Sequence, residues 1–315
     1  MIEDRYVFNK VTGAFLLLIL LSKRAFINKN SIIFWLMLPL LFASISQIVI
    51  IYSQNVANEV KNYYLIWLTS NFCATLIWTA LFTMLRIDLF RLFAFFYISL
   101  SVFSALIIFS YQLKIGINPR PWSFFGPASV VTLPVICLLL ANNISLVWGV
   151  VTGVITASSK GLILAYAAIN FQLMKYKNFF KLLVSILIAF FALVVFLSYI
   201  RTPEDILASL KIRSSLYQFH GLRLINFDLN YFGLSRGLDA MEMDPHSFFI
   251  FSLLSFGLLP TVFVLMLLCA HCYISKKYLL YFIFGIAMLS ETFLFKEPVS
   301  TAIMFSCILK RRSLA

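Results

Sequence analysis

The chain has 315 residues, of which 62% are hydrophobic and only 12% charged, and its formal net charge at pH 7 is +13. A water-soluble fold of this length cannot bury so much apolar surface, so the composition predicts an integral membrane protein. The apolar runs are continuous and much longer than barrel strands, which predicts an all-α, polytopic helical fold. The basic residues stand in short caps between apolar runs, a pattern that excludes nucleic acid as the partner.

In chain order, the apolar runs predict about eleven transmembrane spans within a single integral membrane domain of residues 1–315. They cover roughly residues 6–21, 31–53, 63–85, 92–112, 127–141, 144–157, 160–174, 179–200, 246–270, 278–295 and 298–309. Between residues 127 and 174, Pro134, Gly149, Gly153 and Gly161 permit broken or half-length helices at membrane depth.

The longest polar segment, residues 201–245, is predicted to be a loop on the outer side of the membrane. Within it, residues 213–225 mix four large apolar side chains with Arg213 and Arg223. This mixture predicts a short helix that lies on the membrane surface.

The five cysteines lie in or at the ends of apolar runs, without the spacing of a zinc site or of a secreted disulfide framework. They are predicted to be small buried hydrophobic residues: Cys73, Cys137, Cys269, Cys272 and Cys307.

Alternate loops differ sharply in charge, which predicts the orientation of the chain. One set of loops carries 13 of the 25 basic residues with a single acid, Asp88, whereas the opposite set carries 12 basic residues with ten acids. The basic set comprises Lys23, Arg24, Lys29, Arg86, Arg91, Lys175, Lys177, Lys181, Lys276, Lys277, Lys310, Arg311 and Arg312. Because cytoplasmic loops are rich in Lys and Arg, the N-terminus is predicted outside and the C-terminus inside.

An acidic loop changes abruptly into an apolar helix within residues 239–260. Asp244 suits an N-cap and Pro245 a first helical position, so His246 is predicted in the first turn. The positive end of the helix dipole disfavours an imidazolium, so we expect a neutral, proton-accepting ring. An interfacial histidine that only anchors a span is the alternative. A divalent cation held by the neighbouring acids is disfavoured, because such an acidic run is commonly a solvated turn.

Four segments carry a resemblance to a known family. They are PRPWSFFGPASVV (119–131), TASSKGLILAY (156–166), RSSLYQFHGLRLI with FGLSRG (213–225 and 232–237) and DPHSFFIFSLLSFGLLP (244–260). Together they resemble the O-antigen polymerase and O-antigen ligase superfamily of membrane glycosyltransferases. This chain has Lys160 where that family usually has arginine, and Ser247 where it has asparagine.

The resemblance implies transfer of a glycan from undecaprenyl diphosphate to an acceptor hydroxyl, without a metal or another cofactor. It assigns Arg213 and Lys160 to diphosphate binding and leaving-group stabilisation, Arg120 to a lesser part in diphosphate binding, and His246 to the role of general base. Ser158 or Ser159 is expected to cap the helix that Lys160 opens, whose first-turn amides add affinity for an anion. The reaction would take place on the periplasmic side of the bacterial inner membrane. Its partners would be the lipid-linked glycan donor, the glycan acceptor, membrane lipid and a chain-length regulator protein.

Within this class, a polymerase that joins lipid-linked repeat units of a surface polysaccharide is the expected function. A ligase that transfers the glycan to the lipid A core is the alternative, because the two enzymes differ only in acceptor. A flippase for lipid-linked oligosaccharides is a further alternative. It would place charges at mid-membrane depth and show pseudo-symmetric halves.

Overall fold

A computed structural model describes residues 74–83, 85–115, 128–156, 158–173, 187, 203–225, 247, 249–250, 252–253, 258–290 and 297–309. These residues form helices joined by turns and short connections, and none of them is in a strand, which confirms the all-α prediction. Nine of the helical segments are α1 (Ala74–Thr83), α2 (Ile87–Lys114), α3 (Ala128–Ala141), α4 (Val147–Ile155), α5 (Ser159–Leu173), α6 (Pro203–Ile225), α7 (Leu258–Ser275), α8 (Tyr278–Ser290) and α9 (Pro298–Leu309).

Four helices, α3, α4, α5 and α9, lie within three residues of the predicted apolar segments at both ends, whereas α7 extends five residues past the predicted end at residue 270. The bounds of α9 are those predicted, and α3 begins one residue later than predicted. α2 begins five residues earlier, at Ile87, where Asp88 in its first turn complements the helix dipole. α8 begins at the predicted residue, Tyr278, and is described as far as Ser290, because residues 291–296 lie outside the described part of the chain. The predicted spans at 6–21 and 31–53 lie outside the described residues.

The helices differ in whether they could cross a bilayer alone. In the described part of the chain, only α2, with 28 residues, is long and apolar enough to do so. α4 has nine residues, so it rises only about 13 Å, less than half of a hydrocarbon core of about 30 Å. One helix of about half the length of a span, which the proline and glycines between residues 127 and 174 permit, is therefore present.

One compact unit contains α2, α3, α4 and α5. α4 packs against the other three helices, and α3 also packs against α2 and α5. α3 is apolar apart from Ser129 and Thr132, and all of its residues from Val130 to Leu140 are buried. α3 is therefore the core of this unit.

Small residues bring α4 close to its neighbours. A Cβ atom added to Gly149 would lie 3.3 Å from Cγ1 of Ile136 on α3, and one added to Gly153 would lie 2.9 Å from Cδ2 of Leu162 on α5. The separation of the two glycines by three residues puts both on one face of the helix, as in close-packed helix pairs in membranes.

The turn between α3 and α4 is a Schellman motif. Asn143 has a φ of 53°, its N–H reaches the Leu140 carbonyl at 3.5 Å, and the Ile144 N–H donates to the Leu139 carbonyl at 2.9 Å. Asparagine adopts this left-handed conformation more easily than other residues with a side chain, and the turn satisfies the last carbonyls of α3.

A second compact unit contains α1, α7, α9 and the C-terminal part of α6. Its most buried helix is α9, in which every residue from Pro298 to Ile308 is buried except the half-buried Val299. The C-terminal end of α9 is capped by Lys277, whose Nζ donates to the carbonyls of Cys307 at 3.1 Å and Ile308 at 2.8 Å. The ammonium therefore lies at the negative end of the helix dipole.

The residue before this capping lysine ends α7 in a left-handed turn. Lys276 has a φ of 54°, and its N–H donates to the Cys272 carbonyl at 3.0 Å. A side chain is strained in this conformation, whereas glycine is not. Lys276→Gly is therefore expected to stabilise the protein by about 1 kcal/mol, measured as a higher thermal unfolding temperature in detergent. Asn143→Gly serves as the control and should gain less, because asparagine already tolerates this conformation. An unfolding temperature that falls for Lys276→Gly would show that the lysine side chain contributes more than the backbone strain costs.

Several helices expose large apolar side chains. On α2 these include Phe95, 66% exposed, and on α7 they include Tyr273, 79% exposed.

The exposed face of α7 also corrects the prediction for the cysteines. Cys137 and Cys307 are buried as predicted, but Cys269 lies on this face and is exposed, and Cys272 is half-buried. Cys73 lies outside the described residues.

Polar side chains within the apolar helices bond to their own helix. The Thr79 hydroxyl donates to the Thr75 carbonyl at 2.6 Å, and the Ser101 hydroxyl donates to the Tyr97 carbonyl at 2.6 Å. The Asn142 amide donates to the Leu138 carbonyl at 2.8 Å in the same way. Such bonds satisfy a polar group without water, which is a requirement within an apolar medium.

Candidate functional site

The helix that carries Lys160 begins with a buried serine cap. Ser158 is 5% exposed, and its Oγ accepts a hydrogen bond from the Gly161 N–H at 3.1 Å. The Leu162 N–H donates to the Ser158 carbonyl at 2.9 Å, which closes the first turn. These two bonds identify Ser158 as the N-cap, one of the two serines predicted for this role. Lys160 is therefore the second residue of α5.

A chain of buried threonine hydroxyls lies beside this helix start. The hydroxyl oxygens of Thr132 on α3 and Thr156 are 3.1 Å apart, and the Thr156 hydroxyl donates to the Thr152 carbonyl at 2.7 Å. Because Thr156 has a single hydroxyl hydrogen and directs it to that carbonyl, its oxygen accepts from Thr132. Both residues are at most 1% exposed. This bond ties the core helix α3 to the connection that leads into α5.

Gly161 lies tightly against the same threonine. A Cβ atom added at Gly161 would lie 2.8 Å from the Thr132 Cβ and even closer to its methyl carbon. It would also lie 3.0 Å from the Ser158 Oγ. Only glycine fits at this position without displacing α3 or the cap.

The charged residues on either side of Lys160 in the sequence are all basic. The nearest acids are Asp88 and Glu204, so no carboxylate occurs between residues 89 and 203. The first turn of α5 adds the partial positive charge of a helix N-terminus. In a poorly hydrated environment, the positive charge of Lys160 and the helix N-terminus together favour the binding of an anionic ligand.

Arg213 lies in the middle of α6, and its side chain is outside the described part. The helix predicted at residues 213–225 is confirmed, but it begins ten residues earlier, with Pro203 in the first position that suits proline. Ile212, Leu216, Phe219 and Leu222 recur at helical spacing. All of them are exposed except the half-buried Leu216, so α6 presents an apolar stripe at its surface.

The structure corrects the predicted start of the helix next to His246. Ser247 is not helical, it is 2% exposed, and its Oγ accepts a long hydrogen bond from the Ile250 N–H at 3.5 Å. Ser247 is therefore the N-cap, three residues after the predicted Asp244. The prediction was wrong because Asp244 and Ser247 are both good caps by type, and sequence alone does not rank them.

The remaining predicted site residues lie outside the described part of the chain. These are His246 and Arg120, together with the acids Asp239, Glu242 and Asp244. Among the described residues, no group of three or more His, Cys, Asp or Glu side chains could hold a metal ion. The structure thus brings together the cap, the threonines and the backbone of Lys160.

The residues that sequence reasoning missed are Thr132 and Thr156. Both are threonines next to apolar residues, and Thr156 opens the TASSKG segment. A hydroxyl in an apolar helix usually bonds to a carbonyl of its own helix. No feature of the sequence therefore indicates that the Thr132 and Thr156 hydroxyls bond to each other.

No protein-family model matches the chain, and no curated protein or solved structure matches it.

Proposed function

We propose that the protein is a membrane-embedded glycosyltransferase that polymerises undecaprenyl-diphosphate-linked oligosaccharides into a surface polysaccharide. The observation that carries the proposal is the start of α5. There a buried serine cap presents Lys160 in the first helical turn, within a stretch of chain that has no carboxylate. A diphosphate is the anion expected at such a position, because it can use both the lysine charge and the helix N-terminus.

The cap beside His246 supports the resemblance to the polymerase and ligase superfamily. In this chain Ser247 stands where that family has asparagine, and Ser247 acts as an N-cap. Serine and asparagine are among the residues best suited to that position. The departure from the family pattern therefore preserves the capping chemistry.

The exposed apolar surface supports a membrane location. The Phe-rich face of α2 exposes Phe95, Phe96 and Phe103 with other large apolar side chains, and soluble monomers rarely expose large contiguous apolar patches. We propose that this face and the exposed face of α7 contact lipid, and that the apolar stripe of α6 lies on the periplasmic membrane surface. In this arrangement the chain has about eleven spans in one bacterial inner-membrane domain, several of them half-length.

In the proposed reaction, an acceptor sugar hydroxyl attacks the anomeric carbon of the lipid-linked glycan. The bond from that carbon to the diphosphate oxygen breaks, and undecaprenyl diphosphate leaves. Lys160 and Arg213 stabilise the negative charge that develops on the leaving diphosphate, with Arg120 as a further cation. His246 accepts the proton of the attacking hydroxyl.

Lys160→Ala and Arg213→Ala test the diphosphate assignment. Each variant is expected to lower polymer formation by about 100-fold or more, since loss of one preorganised charge-stabilising group typically costs that much. The measurement is surface glycan chain length on gels, in a deletion strain in which each variant is shown to reach the membrane. Lys211→Ala serves as the matched control, because Lys211 is an exposed base on the same helix as Arg213. Wild-type chain lengths in both test variants would end the proposal.

The same gels separate polymerase from ligase and flippase. In the deletion strain, lipid A core that carries a single repeat unit indicates a lost polymerase. Lipid A core without any glycan, together with retained lipid-linked polymer, indicates a lost ligase. Lipid-linked single units that accumulate on the cytoplasmic leaflet indicate a flippase.

A further inference from the structure

We propose that Thr132 is a positioning residue for diphosphate binding, because it holds the first turn of α5, and with it Lys160, in place. This inference rests on the proposed function of Lys160. It adds a residue on α3 that contacts no substrate and acts through the helix start beside it.

The first support is that one side chain contacts the chain on both sides of Lys160. The Thr132 hydroxyl bonds to Thr156, just before the cap, at 3.1 Å. The Thr132 methyl occupies the space beside Gly161, just after Lys160. A single residue of the core helix therefore braces residues 156 and 161.

The second support is that the brace is anchored in the buried core helix of its unit. Thr132 is 0% exposed and belongs to α3, whose flanking residues Val131 and Leu133 are also 0% exposed. Rotamers and backbone in a close-packed core have little freedom to move. A displacement of the α5 start would have to break the bond between the two threonine hydroxyls or leave a void against α3.

The third support is that the turn capped by Ser158 is the same turn that Thr132 holds in place. Ser158 donates its backbone N–H to the Gly153 carbonyl at 2.8 Å, and its Oγ accepts from the Gly161 N–H. The turn that Thr132 braces is therefore also the turn that orients the first amides of α5. Loss of the brace is expected to loosen both the amides and the backbone of Lys160, so affinity for a diphosphate should fall even when the fold persists.

The experiment measures binding of inorganic pyrophosphate to the purified full-length chain in detergent by isothermal titration calorimetry. Thr132→Val keeps the shape of the side chain and its methyl but removes the hydroxyl, and it is expected to weaken binding by about three- to tenfold. Thr132→Ser keeps the hydroxyl and its bond to Thr156 and loses only the methyl beside Gly161, so it should bind more tightly than Thr132→Val. Thr156→Val removes the same bond from its other end and should reproduce the loss if Thr132→Val does not fold.

Two further variants separate positioning from a general loss of stability. Thr79→Val is the matched control, because Thr79 is also 0% exposed and its hydroxyl bonds only to its own helix in α1. It should lower the unfolding temperature without changing pyrophosphate affinity. In a Lys160→Ala background, Thr132→Val should cause a smaller loss of affinity than in the unsubstituted chain, because the lysine is gone and only the first amides of α5 remain for Thr132 to position.

The possible outcomes distinguish this inference from the proposed function. If Lys160→Ala weakens binding while Thr132→Val and Thr156→Val bind like the unsubstituted chain, the positioning role is overturned and the diphosphate site stands. Additive losses in the double variant would also overturn it. If Lys160→Ala itself binds pyrophosphate normally, the proposed role of Lys160 fails, and the inference fails with it.

Discussion

His246→Ala is expected to abolish long-chain polysaccharide, with a loss of transfer activity of about 100- to 10,000-fold. A positioned general base contributes a factor of this size, and alanine cannot accept the proton of the attacking hydroxyl. The measurement is the rate of glycan transfer from a lipid-linked donor by the purified enzyme, together with chain length on gels.

The control for this variant is the same substitution at another histidine. His271 lies on α7, is half-buried and belongs to none of the four segments that carry the resemblance. His271→Ala should retain polymer of normal length. Equal losses in both variants would point to a shared effect on folding, and normal transfer by His246→Ala would remove the histidine from the mechanism.

Gly161→Ala is expected to show the largest effect of any single methyl group added to the described part of the chain. The new Cβ would lie 2.8 Å from the Thr132 Cβ and 3.0 Å from the Ser158 Oγ, so either the core helix or the cap must move. Overpacking of this kind costs about 1–3 kcal/mol. The expected result is an unfolding temperature several degrees lower, at about 2–4 °C for each kcal/mol in domains of 150–250 residues, together with reduced polymer formation.

Matched glycines and a second-site change sharpen this test. Gly221 and Gly285 lie within α6 and α8, and a Cβ atom at either position would meet nothing within 4 Å. Alanine there should be neutral or stabilising by up to about 1 kcal/mol, because alanine favours the helix. Thr132→Ser removes the methyl closest to the new Cβ and should restore part of the loss in Gly161→Ala. Equal unfolding temperatures for the three alanine variants would contradict the close approach.

Local chemistry in the sequence was sufficient to predict most of the described helices. Continuous apolar runs identified α3, α5 and α9 and the start of α8 to within a few residues, because the residues that start and end those helices are strong local signals. The serine cap of α5 was predicted for the same reason, since a serine before a helix satisfies a free backbone N–H whatever surrounds it.

Other features depend on neighbours that are distant in the sequence. The start of the helix after His246 had two good candidate caps, and packing that buries Ser247 selected the second. Cys269 is as apolar as Cys307, yet Cys269 lies on an exposed helix face and Cys307 lies in a helix that is buried almost throughout. Residue type and spacing do not distinguish Cys269 from Cys307. Which of the two is buried depends only on how the helices pack.

The sequence by itself determined that the chain is helical, very apolar and basic, with a lysine just inside a serine-capped helix. Those properties follow from interactions within a few residues. Only the tertiary structure decided that Thr132 on α3 contacts both Thr156 and Gly161, and so braces that helix start. The reason is physical: the contact joins residues 24 and 29 positions apart, and it forms only where packing brings α3 against the start of α5.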